Sequence, residues 1–141
     1  MSHIVFTKEE TLLVMCFYMA QINGASDQER SYITEVVVPM EQLSADVLAK
    51  TLAKWEVLVK NNAQNVDDII IASLLPLSAA DRVRILAWAL IVAGGEVDAA
   101  GAEKIETDVL VDFALRLHVD TALIIIKARA IALEVRTRRL K

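Results

Sequence analysis

Cysteine, proline and glycine are scarce in this chain, and each shortage removes a class of answer. A single cysteine, Cys16, leaves no internal disulfide to staple a small secreted fold. Two prolines and four glycines among 141 residues leave few helix breakers. Aromatic residues make up only 5%, and none interleaves with the basic residues of the C-terminal end, as a base-stacking nucleic-acid surface would require. The formal charge of −4 at pH 7 excludes a generally basic coat as well. No run reaches the roughly 18 apolar residues that cross a bilayer, and the stretch ILAWALIVAGG is short and ends in glycine. MSHIVFTKEE lacks a basic start leading into a long apolar core. No secretion signal is therefore expected, and a cytoplasmic location is.

What remains is strongly apolar. Hydrophobic residues make up 55% of the chain, and the mean hydropathy is +0.44. Rich in Ala, Leu, Ile and Val and poor in breakers, the composition points to an all-α fold. A length of 141 residues fits one domain, 1–141. Capping-box patterns mark helix starts at Thr7…Glu10, Ser26…Glu29 and Ser78…Asp81, and Asp98 and Asp120 are suited to cap two more. Helical spacing of apolar residues then predicts about seven helices, over 7–22, 26–38, 44–60, 66–74, 78–93, 98–117 and 120–138.

The pattern also recurs. Thr7 and Ser78 are 71 residues apart, as are Glu10 and Asp81, Phe17 and Trp88, Gly24 and Gly95, and Asp27 and Asp98. Cap, acid, aromatic, glycine and acid follow in the same order each time. A pseudo-twofold duplication of helical hairpins is expected, with repeats at about 7–60 and 78–135. In that frame Gly24, Gly94 and Gly95 are chain-reversing corners just past a helix end. Asp27 and Asp98 open the next helix with charge favourable to its dipole.

Sites of chemistry are few. The glycines near 95 do not form a phosphate cradle, because the spacing is wrong and neither a preceding strand nor a Lys-Ser/Thr pair accompanies them. An EF-hand needs acids before its central glycine, and here they follow it. Asp27, Glu96 and Asp98 remain a candidate hard-oxygen site for calcium or magnesium, should the two corners meet; their ordinary role is a solvated helix start. His3 and His118 are isolated, and His118 is placed to favour a helix C-terminus. Adjacent Asp67 and Asp68 point about 100° apart on a helix and read as a first-turn charge pair. Cys16, inside LLVMCFYMA, reads as a small core residue. No catalytic constellation is assembled locally, so neither an enzyme nor a cofactor is expected.

The last segment, DTALIIIKARAIALEVRTRRLK, is apolar on almost every side from Ala122 to Leu133. Such a helix is central or shared with a partner. The leading expectation is a central core helix, with a dimer interface and membrane-surface contact as the other readings. Its basic end, Arg136, Arg138, Arg139 and Lys141, suits the helix C-terminus and also an anionic lipid surface.

Two stretches carry a family resemblance. ALIVAGGEVDAAGAEKIE…LVDFALRLHVD resembles the second half of tellurite-resistance TerB-like domains, and VMCFYMAQINGASDQERSYI is similar to their first-half corner. The likeness spans about residues 7 to 135. It implies an all-α domain of about seven helices with a duplicated core. It also implies a bacterial stress-response role, cytoplasmic or membrane-associated, exercised through partners and a divalent cation. Family members carry an aspartate directly before the corner glycine, where this chain has Asn23 and Gly94. Of the family's acids, Asp27, Glu96 and Asp98 carry over. The expected function is thus a non-enzymatic interaction or adaptor domain binding a protein partner or a second copy of itself, with a cation sensor as the alternative.

Overall fold

The first helix begins where the sequence places a capping box. The Glu10 amide donates to Thr7 Oγ1 (3.1 Å) and the Thr7 amide to Glu10 Oε1 (3.0 Å), so each side chain satisfies an amide that lacks a partner within the helix. At Ser78 the same hydroxyl cap recurs, taking the Asp81 amide at 3.1 Å. The computed structural model describes residues 6–22, 27–61, 65–94 and 108–139. Within them lie α1 Lys8–Ile22, α2 Asp27–Tyr32, α3 Val38–Met40, α4 Ala45–Asn61, α5 Val66–Leu74, α6 Ala79–Gly94, α7 Asp108–Arg116 and α8 Thr121–Arg139, and no strand among the described residues. A π-helical turn, Ile33–Val37, joins α2 to α3 without a break, so these segments make seven rods. Where the chain is described, the rods match the expected helices to within two residues. Residues 98–107, expected to open the sixth, lie outside the described residues.

The π turn has a local cause. Pro39 lacks an amide hydrogen, and its ring would collide with the carbonyl four residues back, at Glu35. Widening the helix over Ile33–Val37 moves that carbonyl away. The Val38 amide then donates to Ile33 O, five residues earlier.

One contiguous apolar core runs through the described residues. At its centre α1 packs against α6, with α4 on the other side of α1 and α8 against α6. Helix α6 is buried without interruption from Ile85 to Val92, and α1 from Glu10 to Cys16. Helices enclosed on several sides need no polar face. The expectation of a central last helix is corrected here: α6 and α1 hold the middle, and α8 lies at the periphery. Its apolarity is divided between one face turned to α6 and another left open.

Two further corners match each other. Gln42 and His118, 76 residues apart (42 to 118), both adopt φ 57°. At the first, the Gln42 amide donates to Pro39 O and the Leu43 amide to Val38 O. At the second, the His118 amide donates to Leu115 O and the Val119 amide to Ala114 O. Each is a left-handed helix stop of the Schellman type, built on a residue with a Cβ. A cap follows at once: the Val47 amide donates to Ser44 Oγ (3.1 Å) before α4, and the Ala122 amide to Asp120 Oδ1 (2.9 Å) before α8. Like features thus recur at 71 residues for the first helix starts and at 76 for these corners. His118 acts through its backbone conformation, and its side chain is exposed.

Arg82, near the start of α6, ties the ends of two other helices to it. Its Nε donates to Leu74 O (3.2 Å), one terminal nitrogen to Leu117 O (3.3 Å) and the other to Leu75 O. The guanidinium fork thereby supplies donors to carbonyls left open at the ends of α5 and α7.

Glu10, buried beneath the cap, pairs with Lys54 of α4 at 2.7 Å. Burial raises its carboxyl pKa, but the hydrogen bonds from Lys54 and the Thr7 amide outweigh that, leaving it below the ordinary Glu value.

Two predictions follow from these contacts. A non-glycine left-handed residue costs about 1–2 kcal/mol, part of which glycine returns as unfolded-state entropy. Gln42→Gly and His118→Gly should each raise stability by about 0.5–1 kcal/mol, or about 2–4 °C in melting temperature, read by thermal unfolding. A depressed folded-state pKa gives Glu10 a stabilising contribution that is complete above its unfolded pKa near 4.5 and lost as pH falls through the lower folded value. Glu10→Gln should therefore be less stable than the parent at pH 7, the gap closing below pH 4.5 in urea unfolding across that range.

Candidate interaction surface

Helix α8 carries two apolar stripes on opposite faces. Ile124, Ala128, Ile131 and Val135 are buried toward α6. Leu123, Ile126 and Leu133 are 51%, 62% and 61% exposed, and Ala130 between them is exposed too. Steps of three, four and three residues keep this second stripe on one side of the helix, the spacing of a packing seam. Isolated exposed leucines are ordinary, whereas four apolar residues in register mark a contact surface. Toward α6 the stripe opens into a cleft of about 330 Å³ whose walls include Ala79, Val83 and Lys127.

The charges beside the seam are mostly basic. At 100° per residue, Lys127, Glu134 and Arg138 lie along one flank and Arg129 and Arg136 along the other. Arg138 donates to Glu134 Oε1 at 3.1 Å. The rim is thus positive on a chain that is negative overall.

A second concavity, about 500 Å³, lies between α1, the α2–π rod and α4. Trp55 of α4 anchors its floor, with ring centroids 6.3 Å from both Phe17 and Tyr18 of α1. The π turn contributes Ile33 and Thr34 to the wall.

Of the residues singled out in the sequence, Asp27 opens α2 and Gly94 closes α6. Gly24, Gly95, Glu96 and Asp98 lie outside the described residues, as do His3 and Lys141. Any approach of Asp27 to Glu96 and Asp98 is therefore outside them too. Among the described residues no group of three or more His, Cys, Asp or Glu is placed to hold a metal ion, and no helix is long and apolar enough to cross a membrane. Arg136 and Arg138 are exposed at the end of α8, whose last residue is Arg139. Cys16 is fully buried. Burial, with a smaller contribution from the Glu41 charge, pushes its thiol well above the ordinary value, the setting of an inert core cysteine.

Two polar clusters join residues that the sequence did not connect. Glu41 Oε1 accepts from Arg84 Nε and from Trp88 Nε1, each at 2.6 Å. The fully buried Trp88 thereby keeps a partner for its indole N–H. Arg116 meets Asp68 at 2.6 Å, Asp67 at 3.4 Å and Asp112 at 3.7 Å. The hydrogen bond to Asp68 is the main reason its pKa lies above the ordinary arginine value. The first-turn pair Asp67 and Asp68 thus converges on one cation from α7. Beside them Tyr18 stacks on Phe113 at 5.8 Å; burial, then the charges of Asp67 and Asp112, raises its hydroxyl pKa. Neither cluster pairs a nucleophile with a base. Both bridge helices more than 40 residues apart, which local spacing does not reveal.

Neither family models, curated proteins nor solved structures give a match to this chain.

Proposed function

We propose that the chain is a non-enzymatic, TerB-like helical interaction module that docks through the outer face of α8. The observation that supports this reading is the seam Leu123, Ile126, Ala130 and Leu133, apolar, in register and uncovered. The stress-response role of tellurite-resistance type rests on the family resemblance, and the cytoplasmic location on the sequence reading. Burying three leucine or isoleucine side chains is worth about 4.5–9 kcal/mol in gross terms, against an association cost of at least about 4 kcal/mol. A contact with α8 alone is therefore weak. A tighter complex also fills the adjoining cleft beside Ala79 and Val83.

The partner proposed is a second copy of the chain. Lys127 and Glu134 are seven residues apart on the same flank, with opposite charges. Antiparallel pairing about a twofold axis sets Lys127 of each copy beside Glu134 of the other. The cation-sensing alternative has no supporting observation, because Glu96 and Asp98 lie outside the described residues.

Sedimentation equilibrium tests the proposal. The parent chain should associate reversibly at micromolar concentrations. Ile126→Asp should weaken association at least about tenfold, the loss of about 1.4 kcal/mol at a central contact, with its melting temperature unchanged. A parent that stays monomeric at high protein concentration would rule out self-association through α8.

A further inference from the structure

The groove between α1, the α2–π rod and α4 is separate from the α8 seam and has a chemistry of its own. Its floor is apolar and partly aromatic: Phe17, Ile33, Leu48, Leu52, Trp55 and Val59. From Leu48 to Lys60 it follows α4 over twelve residue steps, about 18 Å at 1.5 Å per step. A volume of about 500 Å³ falls within the range of small-molecule clefts and is too small to seat a folded partner.

The polar side chains at its edge set the sign of the ligand. Arg30 and Lys60 both line the groove, and among the described residues neither has an ion-pair partner. Glu56 lines it as well, one turn before Lys60, yet the two are not paired. Gln21 adds a neutral donor. Two cations against one anion beside an apolar trough match a molecule with an anionic head and a single hydrocarbon chain. The π turn that shapes one wall is of a kind often found at ligand sites.

We infer that this groove binds a single-chain anionic amphiphile, with the hydrocarbon along Leu52, Trp55 and Val59 and the head group held by Arg30 and Lys60. The other concavities suit such a ligand less well. The cleft beside α8 belongs to the seam. The pocket near Glu41 and Arg84, about 250 Å³, mixes acids with an arginine already paired.

The test titrates the full chain with monomeric dodecanoate, using calorimetry and tryptophan fluorescence, since Trp55 lies in the groove. Dodecanol and dodecyltrimethylammonium serve as neutral and cationic probes of the same chain length. Saturable binding of dodecanoate is expected, at least fivefold tighter than either comparison probe. Arg30→Glu combined with Lys60→Glu should weaken dodecanoate binding at least tenfold and reverse the preference between anionic and cationic probes. Leu52→Asp should abolish binding, with helical content and melting temperature unchanged in both variants. Ile126→Asp, on the other surface, should bind as the parent does, which separates this inference from the proposed self-association. No saturable binding of dodecanoate, equal affinity for all three probes, or unchanged affinity in the double charge variant would each overturn it. So would binding to phosphatidylglycerol vesicles without uptake of the monomer, because the site would then be a surface and not a groove.

Discussion

The packing of α1 on α6 is the contact on which the other helices depend. Each has neighbours on several sides, so neither can hold a row of charges. Leu13, Met15, Cys16 and Met19 fill one helix, and Leu86, Trp88 and Ile91 the other, all essentially inaccessible to water. Where a polar atom falls within this interior it is supplied with a partner. Trp88 donates to Glu41, and Glu10 is held by Lys54 and its own cap. A buried polar group without such a partner costs about 1–3 kcal/mol, roughly twice what an average hydrogen bond contributes. These few contacts therefore fix the rotation of α1 and α6, while the apolar packing supplies most of the stabilisation.

Once that pair is set, α4 and α8 occupy its outer sides and the remaining segments act as connectors. The connectors are defined by backbone chemistry at their ends: two left-handed stops at Gln42 and His118, side-chain caps at Ser44 and Asp120, and a π turn where Pro39 would otherwise collide with the rod behind it. Arg82 binds two helix ends to the start of a third. The consequence for function is geometric. Peripheral helices have only one face occupied, which leaves the α8 seam open on one side and the α4 groove open on the other.

Much of this architecture was legible in the residues. Breaker scarcity, capping patterns and helical spacing located the rods closely, because those signals are local and physically direct. The place of α8 was not legible. Periodicity reports how apolar each face is, and does not say whether an apolar face meets a core, another molecule or water. Leu123 and Ile124 are adjacent and equally apolar, yet one is half exposed and the other fully buried. The clamps at Glu41 and Arg116 were hidden for a different reason, since their partners are brought together only by the tertiary fold. The left-handed corners escaped because Gln42 and His118 are not glycine, the residue that usually marks such a stop. The corners expected at Gly24 and Gly95 lie outside the described residues. Among the site residues, the groove lining was the least visible, being assembled from three separate rods.

If α1 and α6 form the centre and α4 and α8 its covering, local stability should follow that order. Native-state hydrogen exchange measures it directly. The account predicts that amides in the middle of α1 and α6 exchange only through global unfolding, while those of α4 and α8 open at lower free energy. Protection in α8 equal to that of α6, or exchange of the Ile85–Val92 amides through local opening, would contradict it.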